Sequence, residues 1–285
     1  MKILAIGDFH GKFPNKLKDK IKKENVDLIV SIGDYFPFLP KHRKLFFKYA
    51  YKTNKDIWEF IGKKKCKEFM IKELKIGRKL IKGLDKLPVK IIGISGNIDS
   101  GKWGDAFRGR KDRKIWRWVE QDFLTLFIRK LKKMKFFDFS YIKFGEFIFI
   151  GYPASNFPGH VQTPTYRFYR KKLDRLFQKF KKENKDKRVI FVSHNVPYNT
   201  KLDKITSKEA HEKVKGKHYG SKLTRRIIDR YKPFLVLGGH MHENQGKCKV
   251  GKTIAINPGA AIDGKAAIIN LPENKKEKIK VKFIK

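Results

Sequence analysis

Seven side chains able to bind a divalent cation fall in five short blocks of the sequence. These are Asp8-Phe9-His10, Gly33-Asp34, Gly96-Asn97-Ile98-Asp99, Ser193-His194-Asn195 and Gly239-His240-Met241-His242. Two carboxylates, one amide and four imidazoles form an oxygen-and-nitrogen set without sulfur. Such a set suits manganese, iron, zinc, cobalt or nickel better than calcium, or magnesium alone. One shared carboxylate can hold two metals about 3.5–4 Å apart, a spacing suited to in-line displacement at phosphorus by a bridging hydroxide. Asp8 and His10, and likewise His240 and His242, are one residue apart, so in an extended or turning segment each pair can converge on one point. Taken singly, each block has an ordinary explanation: Gly-Asp after a strand is often a turn with a helix cap, and a lone histidine is often a loop residue. Five blocks, each after a strand-like run, weigh toward a metal-binding scaffold.

The elements that must position these residues are legible as short apolar, β-branched runs: Ile3–Ile6, Leu28–Ile32, Val89–Ile94, Phe147–Ile150, Val189–Val192, Phe234–Leu237 and Thr253–Ile256. Runs of this kind read as buried strands. In open α/β sheets, ligands bind in the crevice beyond the carboxyl ends of the strands, where loops are held rigidly. Thr163-Pro164 reads as an N-cap with proline at the first helical position, followed by Tyr169, Leu173, Leu176, Phe177 and Phe180 at helical spacing. A second helix is expected through Trp116, Val119, Phe123, Phe127 and Leu131, and a third after a Ser221 cap. Strands alternating with helices predict an α/β sheet. From about Lys247, strand-like runs and the turn Asn257-Pro258-Gly259 predict antiparallel strands.

The blocks resemble the signature of the calcineurin-like metallophosphoesterases, D-x-H, G-D, G-N-H-D/E, H and G-H-x-H, in that order and across positions 7 to 242. The resemblance implies Asp8, His10 and His242 on one metal, Asn97, His194 and His240 on the other, and Asp34 bridging them. It implies a four-layer α/β/β/α sandwich of two mixed sheets, and a hydrolase of phosphomonoesters or phosphodiesters using two divalent transition metal ions; the location expected from the cysteines and the lack of a signal-like or membrane-spanning run is cytoplasmic. Asp34, Asn97 and Asp99 are then the expected catalytic residues, with Asn97 also touching substrate. One departure stands out: Ile98 occupies the place of the family's usual histidine, whose role is to stabilise the transition state or protonate the leaving group, with the following acid, here Asp99, orienting it. General acid catalysis is commonly worth about 10²–10⁴ in rate, so poor leaving groups should suffer most.

Lys and Arg number 69 against 28 Asp and Glu, a formal net charge of +41. Such a surface attracts polyanions, nucleic acid first among them. A lysine-rich composition shared by a whole proteome would explain it equally well. The charge concentrates in two stretches read as helical insertions in a single domain spanning residues 1–285: about 41–88, with 16 basic and 5 acidic residues, and about 102–135, with 12 and 4. The first is a lid, a nucleic-acid arm or a solvated helical pair. Trp103, just after the Asn97 loop, is a candidate substrate-binding residue. So is His218, though shaping its own loop is the simpler role for it. His42, His160 and His211 have no supporting context and read as surface residues. The alternative function is a scaffold of weak or absent activity that binds nucleic acid or an acidic partner.

No run approaches the roughly 18 apolar residues of a membrane span, and the N-terminal apolar run is too short for a signal peptide. Cys66 and Cys248 stand in no ligand spacing and are expected as reduced thiols.

Overall fold

A computed structural model of the chain describes all residues except 51, 52, 54, 100–115, 154–160, 162, 208–211 and 273–276. Among the described residues twelve strands are formed: β1 (Lys2–Ile6), β2 (Leu28–Ser31), β3 (Ile91–Gly93), β4 (Met134–Phe136), β5 (Tyr141–Phe144), β6 (Phe147–Tyr152), β7 (Val189–Asn195), β8 (Leu235–Gly239), β9 (Gly246–Val250), β10 (Thr253–Asn257), β11 (Ala266–Asn270) and β12 (Lys280–Ile284). They make two six-stranded sheets, ordered β12-β11-β1-β2-β3-β4 and β5-β6-β7-β8-β10-β9. Each is mixed. β1, β2, β3 and β4 run parallel, as do β6, β7, β8 and β10, while β11, β12, β5 and β9 pair antiparallel at the edges.

The alternation of side chains along each strand explains how the sheets stack. Ile3 and Ala5 of β1, Leu28 and Val30 of β2, Ile190 and Val192 of β7, and Leu235 and Leu237 of β8 meet in one apolar layer between the sheets. On the outer face of the first sheet, Leu4, Ile6 and Ile29 pack with Leu17, Leu80, Ile81 and Leu84 from helices Asn15–Lys22 and Lys63–Asp85. On the outer face of the second, Ile150, Phe191 and Val236 pack with Leu173, Phe177, Leu223 and Ile227 from helices Pro164–Lys179 and Lys222–Tyr231. The result is the expected four layers, helices outside and two sheets within. Both anticipated caps are in place: Thr163 Oγ1 accepts from the Tyr166 amide at 3.1 Å and Ser221 Oγ from Thr224 at 3.1 Å.

Two expectations change. The helix through Trp116 to Leu131 shrinks to Phe123–Ile128. Asp122 caps it by accepting the Thr125 amide at 2.9 Å, and just beyond it the Asp85 carboxylate takes the amides of Lys132, Lys133 and Met134 and turns the chain into β4. The antiparallel strands expected from about Lys247 do form, as β9 with β10 and β11 with β12; the β9–β10 hairpin turns at Gly251, with φ 58°, and the turn Asn257-Pro258-Gly259 carries the chain from β10 in one sheet toward β11 in the other. His42 is buried, not on the surface, its Nδ1 3.0 Å from Glu73 Oε1. Within the basic stretch, helix Lys63–Asp85 is the crossover between parallel β2 and β3 and supplies core residues, so only part of that stretch is peripheral. Residues 102–115 of the second basic stretch, with Trp103, and also His160 and His211, lie outside the described residues. Among the described residues no helix is long and apolar enough to cross a membrane. Cys66 and Cys248 are free thiols.

Candidate metal centre

All five blocks lie at the carboxyl ends of parallel strands: Asp8 after β1, Asp34 after β2, Asn97 after β3, His194 near the end of β7 and His240 after β8. The first two blocks are tied together by backbone hydrogen bonds. The Asp8 amide donates to the Gly33 carbonyl, and those of Phe9 and His10 to the Asp34 carbonyl, each at 2.9 Å. Asp8, His10, Asp34 and His240 all adopt left-handed backbone, with φ of 53°, 46°, 55° and 68°. Asp and His tolerate this region better than most residues, yet four instances in one place amount to backbone strain concentrated where the side chains converge.

Two clusters result. The ligand atoms of Asp8, His10 and His242 lie within 4.8 Å of one another, and so do those of Asp34, His194 and His240. In the first, His10 Nε2 and His242 Nε2 are 3.0 Å apart and His242 Nε2 is 3.8 Å from Asp8 Oδ1. Two nitrogens each about 2.1 Å from one cation and at right angles to each other would be separated by about this much. In the second, His194 Nε2 is 2.7 Å from Asn97 Oδ1 and 3.5 Å from Asp34 Oδ1. The other Asp34 oxygen, Oδ2, lies 3.9 Å from His10 Nε2, so one carboxylate spans both clusters.

The electrostatics fit cations. Asp8 Oδ1 is buried with no hydrogen-bond partner, while Oδ2 accepts the His240 amide at 2.9 Å. Burial, and next the charge of Asp34, push the Asp8 carboxyl well above its usual range, a repulsion that positive charge between the two would relieve. Burial likewise holds the imidazoles neutral: His10 is lowered to about 3, and His194, His240 and His242 are all lowered, with burial the largest cause in each. Neutral imidazole is the form that ligates. His194 Nδ1 donates to the Ile32 carbonyl at 2.8 Å, which fixes the tautomer and presents the Nε2 lone pair to the cluster. The donor set and its orphaned oxygen therefore fit divalent metal.

Around the ligands lies a layer of supporting contacts. Asp99 does not orient a catalytic histidine, since Ile98 stands there. Its buried carboxylate accepts four backbone N–H groups, from Asp34 at 2.9 Å, Tyr35 at 2.7 Å, Phe36 at 3.1 Å and Gly96 at 2.7 Å. The Ile98 amide donates to Asp34 Oδ1 at 3.1 Å. Gly96 fits against Asp34 so closely that no β-carbon could be added without displacing it. Arg43 lies near enough for its charge to help depress the His10 imidazole; in the sequence it was only one cation in a basic run. His218 Nδ1 is held at 2.7 Å by Asp203, whose carboxylate also takes the amides of Asn199, Thr200 and Gly220. Its neighbour Tyr219 accepts from the side chain of Asn195, next to His194, at 3.1 Å.

Comparison with known proteins bears on the family and the fold. The family model described as metallophosphoesterase, calcineurin superfamily, matches residues 1–282. An uncharacterized protein of Methanocaldococcus jannaschii is 25% identical over 266 residues, 90% of this chain and 88% of that protein. A crystal structure 21% identical to the chain superposes with a TM-score of 0.66, covering 99% of this chain and 98% of that one. A dimetal phosphatase from Danio rerio, 9% identical, superposes with a TM-score of 0.56 over 100% of this chain and 96% of its own. These structures share the fold. With a family match over nearly its whole length and a clustered ligand set, the chain belongs to the calcineurin superfamily of metallophosphoesterases and is a hydrolase of phosphate esters.

Proposed function

We propose that the chain hydrolyses phosphomonoesters or phosphodiesters at a two-metal centre, with Asp34 shared between the two ions. The observation that carries this is the pair of adjacent ligand clusters spanned by the two oxygens of Asp34. Asp8, His10 and His242 would hold one ion; Asn97, His194 and His240 would hold the other. Bound there, two divalent cations supply Lewis acidity toward phosphoryl oxygens and lower the pKa of water near neutrality.

The chain's own residues account for the rest. Asp99 gathers the amides of Asp34, Tyr35, Phe36 and Gly96 and so fixes the carboxylate of Asp34 in its place. It acts as a positioning residue. Ile32 sets the His194 tautomer through its carbonyl. His218 and Trp103, the latter outside the described residues, are proposed as substrate-binding residues. The Ile98 side chain cannot move a proton, so esters with good leaving groups should turn over best.

The test is turnover of bis-p-nitrophenyl phosphate and p-nitrophenyl phosphate across manganese, iron, zinc, cobalt and nickel, with metal content measured on the same samples. Manganese-loaded protein is expected to hydrolyse at least one of them, and Asp34→Asn to abolish it. Absence of turnover with every metal, despite metal uptake, would leave a binding scaffold.

A further inference from the structure

We propose that the described residues between Pro40 and Ile61 form a landing surface for single-stranded nucleic acid. This rests on the phosphoesterase reading for its consequence and on separate observations for its binding. The segment follows directly from the Asp34 loop. It folds as a short helix Pro40–Leu45, a π-helical turn Phe46–Ala50 and a helix Ile57–Ile61 started by an Asp56–Glu59 capping box. It is anchored from beneath: Glu73 accepts the Leu39 amide at 2.8 Å and faces His42, whose ring stacks on Phe69 at 5.2 Å.

What it presents outward alternates rings and cations. Phe47 and Phe60 are 49% and 39% exposed, which large apolar side chains seldom are without reason when grouped. Arg43 sits over Phe47 at 5.7 Å, Lys48 over Tyr49 at 5.0 Å and Lys55 over Phe60 at 5.8 Å. Tyr49 and Phe60 stack at 5.7 Å with their planes 19° apart. Exposed rings flanked by cations are what an unpaired strand requires, since bases stack on the rings while lysine and arginine track the phosphates. A duplex hides its base faces and would meet only the cations.

The experiment is fluorescence anisotropy of labelled single-stranded DNA and RNA of about 12 nucleotides, a length within the usual site sizes. The protein is the full chain in the Asp34→Asn background, where turnover is expected to be absent. Single strands should bind about tenfold or more tighter than a duplex of the same length, with affinity falling steeply as salt rises. The double variant Phe47→Ala with Phe60→Ala should lose about tenfold or more in affinity at an unchanged unfolding temperature. Phe168→Ala, which removes an equally exposed ring under Lys172 on the opposite helical layer, should change nothing. Equal binding of duplex or inorganic polyphosphate, preferential capture of anionic vesicles, or an unaffected double variant would overturn the proposal. Because the readout is binding without turnover, its failure leaves the phosphoesterase reading standing, and the reverse holds too.

Discussion

Gly96→Ala should cripple the metal centre while leaving the fold intact. A β-carbon on Gly96 would fall 2.1 Å from Asp34 Oδ1 and 2.5 Å from the Asp34 backbone nitrogen, whereas real β-carbons essentially never come within 3.0 Å of a neighbour. Neither partner can step aside freely. The Asp34 and Gly96 amides both donate to Asp99 Oδ2, at 2.9 and 2.7 Å, so separating them breaks that clamp. Relief therefore requires Asp34 to shift by about 1 Å, and a displacement of that size in a reacting constellation costs about a hundredfold in rate. The stability cost is smaller, about 1–3 kcal/mol for local overpacking. For 285 residues unfolding with about 2.1 cal/mol/K per residue, that lowers Tm by only about 2–5 °C. The assay pairs kcat/KM on bis-p-nitrophenyl phosphate, taken through a metal titration, with calorimetric unfolding. Gly83→Ala is the counterpart: nothing lies within 4 Å of its β-carbon in the Lys63–Asp85 helix, so it should stabilise by up to about 1 kcal/mol without touching activity. A Gly96→Ala chain that retains most of its rate would refute the reasoning, since Asp34 could then move without consequence.

Asp99→Asn should weaken metal binding while largely preserving kcat at saturating metal, because one amide oxygen can serve only part of the four-amide cradle; metal titration by calorimetry alongside rate measurements decides this, and a large loss of kcat at saturation would make Asp99 catalytic instead. The buried imidazoles predict the acid stability of the metal-free protein. His10 is depressed from 6.5 to about 3, first by burial and then by the charges of its histidine neighbours, so the unfolded chain binds the proton that the folded one refuses. That contribution is complete above pH 6.5 and drains away as pH falls toward 3; urea unfolding at several pH values should show the decline, and His10→Asn should flatten it. Ser221→Ala removes the acceptor for the Thr224 amide at a fully buried helix start, and should cost about 1 kcal/mol in thermal or urea unfolding without altering metal content.

How much was legible in the linear chain differs by kind of residue. The seven strands named from apolar runs form, and the helix starts at Thr163 and Ser221 are where their hydroxyls and proline place them, because strand burial and capping are local properties. The ligand blocks could be found for a related reason: each follows a strand end, and one residue of separation sets the pairing of Asp8 with His10 and of His240 with His242. The failures arise where a distant group intervenes. Of the Trp116–Leu131 periodicity only Phe123–Ile128 is helical, started at Asp122, while just beyond it Asp85, far earlier in the chain, captures the amides of Lys132 to Met134 and leads into β4. His42 reads as surface until Glu73 and Phe69 close over it.

The sequence by itself determined which side chains could bind metal and which elements would carry them, since residue type and local spacing are sufficient for both. Only the tertiary structure decided that the two oxygens of Asp34 face different clusters, that Asp99 gathers four backbone amides, and that His10 and His242 meet at 3.0 Å. Those facts depend on contacts between residues dozens to hundreds of positions apart, set by how two sheets stack and where their strand ends coincide, and no local pattern encodes that distance.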